Sequence, residues 1–107
     1  MVLQKFIKKF TNEIQDKYAD EVRTMILFGS YARGESTENS DIDILVVWDG
    51  DRNEGAEKIE DIAYDYLLNK GLYFSVKVLS AEQYESLQEK ESPFLKNVLQ
   101  EGVLLVG

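Results

Sequence analysis

Cysteine and histidine are both absent from this 107-residue chain, and proline occurs once. Without cysteine, neither a disulfide framework nor a thiolate metal site can form. Without histidine, the commonest general base is missing, and so is any imidazole-ligated zinc or iron. A metal bound by this chain must sit on oxygen, which points to magnesium, manganese or calcium. Basic residues are also scarce: 12 Lys and Arg against 20 Asp and Glu leave a formal charge of −8. That balance argues against a broad basic surface gripping a nucleic-acid backbone, so no direct nucleic-acid binding is expected. A nucleotide stays compatible, because a cation can bridge an acidic site to phosphates. No apolar run approaches the length that crosses a bilayer, and the opening MVLQKFIKKF mixes charged and apolar residues too closely for a signal-peptide core. The expectation is a cytoplasmic protein without membrane contact.

What is present fits a folded domain. Hydrophobic residues make up 44 % and aromatics 11 %, which argues against disorder, and the length suits one domain over 1–107 with a single core. Leu3, Phe6, Ile7, Phe10, Ile14 and Tyr18 recur at three-and-four spacing and predict an amphipathic helix. Val22 to Phe28 and Ile42 to Trp48 read as buried strands. Ile59, Ile62, Ala63, Tyr66 and Leu67 predict a second helix over Asn53 to Lys70, closed by Gly71. Its acids, from Asp49 to Asp65, alternate with that stripe and read as a solvated face. Leu72 to Leu79 is β-rich, with Phe74, Val76 and Val78 on one face and Tyr73, Ser75 and Lys77 on the other. Ser80 with Gln83 predicts a capping box, Ser92-Pro93 a further helix start running to about Gln100, and Val103 to Val106 a last short strand. The order α-β-(turn)-β-α-β-α-α-β describes an α+β domain, helices packed on a small mixed sheet.

The chemistry concentrates in LFGSYARGESTENSDIDILVV, Leu27 to Val47. Strand alternation points Ile42, Ile44 and Val46 one way and Asp41 and Asp43 together the other way, roughly 6.5 Å apart along the strand. Two carboxylates converging there repel unless a cation or basic group lies between them. The two acids alone leave open whether a divalent ion sits there or a strand end is simply wet. Phe28-Gly29-Ser30 precedes them at the end of a strand and begins a helix-like turn through Tyr31, Ala32, Arg33 and Gly34. Glycine lets a backbone approach a ligand closely, a helix start favours phosphate, and the serine hydroxyl adds a donor. Strand, Gly-Ser, ten residues, then Asp-x-Asp at a second strand places phosphate donors and metal ligands at two strand ends.

That stretch resembles the signature of the nucleotidyltransferase superfamily related to DNA polymerase β. The ARG after Gly-Ser, the spacing and the SDIDILV form look most like the minimal nucleotidyltransferases, the MNT proteins. The resemblance implies a nucleotidyltransferase fold, in which Gly29 and Ser30 bind the triphosphate of ATP or another NTP. It implies that Asp41 and Asp43 are the catalytic carboxylates and hold two magnesium ions, with manganese as the substitute. Arg33 has two readings, a contact to nucleotide phosphates or a structural partner for Asp41 or Glu35. The reaction implied is attack of an acceptor hydroxyl on the α-phosphate, with release of pyrophosphate. Stand-alone MNT proteins resemble the antitoxin half of toxin–antitoxin pairs whose toxin is a helical HEPN-domain protein. By that resemblance the acceptor is a hydroxyl, most simply a tyrosine, on the HEPN partner. The oligomeric state is left open, self-association included.

One departure from the family pattern stands out. The family supplies a third carboxylate from a later strand, and the matching strand, LYFSVKVLS, offers Tyr73, Ser75 and Lys77, none of them acidic. Lys77 has two readings, a cation pairing with Asp41 or Asp43 in the metal's place, or an ordinary lysine on an edge strand. Ser40 is expected to bond backbone near the strand start. Trp48 and Tyr73 could stack on a base, though core or rim packing is the commoner role. The rival function is a non-catalytic module that keeps the fold and neutralises its partner by covering it. A weaker third reading is an enzyme acting on a small molecule such as an aminoglycoside.

Overall fold

The computed structural model describes residues 2–34 and 41–107. The chain runs α1 (Val2–Tyr18), β1 (Val22–Phe28), α2 (Gly29–Arg33), β2 (Ile42–Trp48), α3 (Arg52–Lys70), β3 (Phe74–Ser80), α4 (Ala81–Glu89), α5 (Pro93–Glu101) and β4 (Val103–Val106). The expected element order holds, with the turn after β1 tightened into a helix of five residues. Local chemistry sets the boundaries. The Asp51 side chain accepts from the Asn53 and Glu54 N–H groups, so α3 opens at Arg52, one residue before its apolar stripe suggests. Gly71, at φ 66°, closes that helix, and the Leu72 N–H donates to the Tyr66 carbonyl. Leu72 therefore belongs to the helix cap, and β3 begins at Phe74. Ser80 and Gln83 form the reciprocal capping box of α4, and the Ser92 hydroxyl accepts from the Leu95 N–H ahead of α5.

The four strands form one mixed sheet in the order β3-β2-β1-β4. β1 pairs antiparallel with both β2 and β4, whereas β2 and β3 run parallel and α3 makes the crossover between them. Ile42, Ile44, Val46 and Trp48 face α1 and α3, where Phe10 and Ile14 of α1 and Ile59 of α3 are wholly buried with them. Phe10 stacks on Phe74 at 4.0 Å between ring centroids, and Tyr66 meets both rings edge-on. Burying several side chains of this size, each worth about 1.5–3 kcal/mol, is the main force holding α1 and α3 to the sheet. The opposite face carries a smaller core: Ile26, Leu45 and Leu79 beneath Leu95 and Val98 of α5, with Tyr84 and Leu87 of α4 at its margin.

Trp48 is 2 % exposed. Its indole packs so closely on Gly55 that a Cβ there would enter the ring, and Tyr18 meets it edge-on at 5.6 Å. It is a core residue, not a platform for a base. Tyr73 stands at the rim, and the acids from Asp49 to Asp65 are all exposed, as a solvated face requires. Among the described residues no helix is long and apolar enough to cross a membrane.

Candidate active site

Because Ile42 and Ile44 are turned into the larger core, Asp43 must project from the other sheet face, and Asp41 precedes it at the same strand end. Asp41 is exposed and Asp43 half-buried. Asp43 has a neighbour on each side. Phe28, the last residue of β1, pairs with it antiparallel, and Ser75 of β3 pairs with it in parallel. Gly29 follows Phe28 with φ +74°, and a Cβ on it would strike the Asp43 carboxylate. Only glycine combines that left-handed backbone with so close an approach. The Gly-Ser turn and the Asp-x-Asp pair, ten residues apart in sequence, thus meet at one end of the two central strands.

The electrostatics follow from this packing. Burial raises the Asp43 carboxyl above the ordinary aspartate range, the charge of Asp41 raises it further, and the Arg33 guanidinium pulls it back. Arg33 Nη1 also donates to Glu101 Oε2 at 3.4 Å, so the guanidinium ties α2 to the end of α5 while sensing Asp43. Two carboxylates whose charges disfavour one another, at the mouth of a glycine turn, suit a hard divalent ion. Magnesium commonly takes one or two protein carboxylates and fills its remaining positions with phosphate and water oxygens, so this donor set fits it.

The face assignment expected for β3 holds. Ser75 lies beside Asp43 and Lys77 beside Leu45, so β3 adds no acid to the pair. Among the described residues no group of three or more acids is placed to hold a metal ion. The Lys77 ammonium lies 5.3 Å from the Phe94 ring centroid, and the ion pairs among the described residues do not join it to Asp41 or Asp43. Phe94 also meets Phe28 edge-on at 5.8 Å. Ser40, and the Glu35 considered as a partner for Arg33, lie outside the described residues.

A cleft of about 220 Å³ opens beside the turn, lined by Phe28, Gly29 and Arg33 on one side and by Phe94, Asn97 and Glu101 of α5 on the other. Sequence reading singled out the first wall and missed the second. Glu101 stands 68 positions from Arg33, and nothing in the local pattern of α5 marks it.

The model of the nucleotidyltransferase domain matches residues 7–106. A Methanocaldococcus jannaschii protein named as a candidate protein adenylyltransferase is 40 % identical over 102 residues, covering 95 % of this chain and 96 % of that one. Among solved structures, a candidate nucleotidyltransferase from Sulfolobus solfataricus aligns with a TM-score of 0.60 at 21 % identity, over 94 % of this chain and 76 % of that one. A toxin–antitoxin crystallised with AMP-PNP aligns with a TM-score of 0.59 at 22 % identity, over 94 % of this chain and 73 % of that one. At those identities the two structures speak for the fold.

Proposed function

The chain belongs to the nucleotidyltransferase domain family, and from that premise we propose that it transfers AMP from ATP to a tyrosine hydroxyl of a partner protein. The observation that carries this reading is the packing of Gly29 on the Asp43 carboxylate, which brings the Gly-Ser turn beside the Asp-x-Asp pair. Gly29 and Ser30 bind the triphosphate, Arg33 adds positive charge to it, and Asp41 and Asp43 hold magnesium, with manganese as a substitute. Bound magnesium neutralises phosphate charge and makes the α-phosphorus more electrophilic. A second ion, where one binds, would be held by the same two residues, Asp41 and Asp43. The tyrosine oxygen bonds to the α-phosphorus, and the bond from that phosphorus to the bridging oxygen breaks. Pyrophosphate leaves with the electron pair, and the hydroxyl proton passes to solvent. The protein's contribution is positioning and charge.

A protein acceptor is favoured by the name of the Methanocaldococcus relative, and an antitoxin role by the toxin–antitoxin neighbour. The partner we propose is a HEPN-domain toxin, and the compartment the cytoplasm. The absence of an acid on the site face of β3 favours a second reading, a module that silences its partner by covering it. The test incubates the chain with α-labelled ATP, magnesium and the protein encoded beside it. Label on a partner tyrosine, lost in Asp41→Ala plus Asp43→Ala, supports the transferase. No transfer, with inhibition of the partner surviving the double substitution, supports the covering module instead.

A further inference from the structure

β3 is an edge strand, and its outer edge is closed at one end only. The Tyr73 carbonyl accepts from the Ile42 N–H, so Tyr73 and every second residue after it turn their backbone groups toward β2. Phe74, Val76 and Val78 therefore turn theirs outward. Arg52 Nε donates to the outward Val78 carbonyl at 2.8 Å, which blocks the far end. The hydrogen bonds among the described residues include no partner for the outward groups of Phe74 and Val76. That open span sits beside Ser75, the residue paired with Asp43. It also borders a groove of about 230 Å³ between β3 and α3, lined by Glu60, Tyr64, Leu67, Tyr73 and Val76. Tyr64 is 58 % and Tyr73 51 % exposed, which is unusual for side chains this large.

We propose that the β3 edge at Phe74–Val76 is the acceptor-docking surface, binding an extended segment of the acceptor protein as an added fifth strand. The inference rests on the transferase reading. In-line displacement requires the acceptor opposite the leaving pyrophosphate. With the phosphates on the β1 side of Asp43, at Gly29, the acceptor enters from the β3 side. This sets β3 apart from β4, the other edge, which lies beyond β1. A strand added to β3 would lie about 10 Å from β2, two strand spacings. A tyrosine side chain carries its hydroxyl much further from the added strand toward Asp43 than a serine side chain does. Strand alternation then assigns the flanking residues: those on either side of the tyrosine point to the α3 face, into the groove of Tyr64, Leu67 and Val76. The segment selected is thus apolar–tyrosine–apolar.

The probe is the blocked peptide Lys-Val-Tyr-Val-Lys, added with magnesium and labelled ATP. Amide exchange and label transfer are read together, in the wild-type chain and in Val76→Pro. The Val76 N–H faces outward, so proline there leaves the ladder to β2 intact while obstructing an added strand. Leu67→Glu, on the exposed groove wall, serves if the proline variant fails to fold. The expected result is exchange slowed about tenfold or more at Phe74 and Val76, with label on the peptide tyrosine, both lost in the edge variants. Slowed exchange without label upholds the docking surface and overturns the transferase reading. Label transfer with exchange at Phe74 and Val76 unchanged, or undiminished in the edge variants, overturns the docking surface and leaves the transferase. Protection at Leu104 in place of Val76, or no protection and no label, also overturns it.

Discussion

Replacing Gly29 with alanine tests the site through a single methyl group. The backbone there is left-handed, at φ +74°, a conformation that costs a non-glycine residue about 1–2 kcal/mol. The new Cβ would overlap the Asp43 carboxylate and stand 3.1 Å from its Cγ and 3.3 Å from its Cβ. Swinging the carboxylate oxygen aside relieves only the first contact, so Asp43 as a whole must move. Strain and overpacking together predict a loss of about 2–5 kcal/mol. For a domain of this size that lowers the melting temperature by roughly 10–25 °C. A displaced Asp43 no longer faces the Gly-Ser turn, so the affinity for magnesium–ATP should fall about tenfold or more, equivalent to about 1.4 kcal/mol. Gly34→Ala is the control. Gly34 has nearly the same φ, +73°, yet a Cβ there meets nothing within 4 Å. It should lower stability by about 1 kcal/mol from backbone strain alone and leave nucleotide affinity intact. Calorimetric titration with magnesium–AMP-PNP, well below both melting temperatures, separates the two. Equal losses of affinity in the two variants, or wild-type affinity in Gly29→Ala, would refute the link between the turn and the carboxylate.

Asp43→Asn should stabilise the free protein at neutral pH. The folded-state pKa of Asp43 is raised, so its stabilising contribution is complete only below the unfolded value and is lost as pH rises through the folded one. The gain over wild type in thermal melts should shrink as pH falls toward 4. Added magnesium should raise the melting temperature of the wild type but not of this variant. Arg33→Ala breaks an exposed pair, with side chains 40 % and 49 % exposed, that is worth at most about 1 kcal/mol. Denaturant midpoints should barely move while AMP-PNP binding weakens severalfold; equal effects on both would make Arg33 structural only. Gly55→Ala drives a methyl into the Trp48 indole and should cost about 1–3 kcal/mol in urea unfolding followed by tryptophan fluorescence. Its nucleotide affinity, measured in the folded fraction, should remain that of the wild type.

Most of the fold is legible in the sequence because its determinants are local. The stripe on α1, the caps at Ser80 and Ser92, the stop at Gly71 and the alternation of β2 each lie within a few residues of what they specify. The site is legible for a related reason. β1 and β2 are antiparallel neighbours, so the end of one strand lies beside the start of the next, however the thirteen residues between them run. Gly29 and Asp43 are brought together by topology. What α5 contributes follows no such rule. Phe94, Asn97 and Glu101 reach the cleft only because α5 packs on the face where Asp43 emerges, and the choice of face belongs to the assembled sheet. The residue beside Asp43 on β3 is an intermediate case. The alternation of Phe74, Val76 and Val78 settles which face Ser75 and Lys77 occupy, but their register against β2 depends on a parallel pairing set by the length of α3. Shifting that register along β3 brings no acid to Asp43, since Tyr73, Ser75 and Lys77 are the residues on offer. The lack of a third carboxylate on β3 is therefore a property of the strand itself, and in the proposed transfer the acceptor hydroxyl gives up its proton without one from β3.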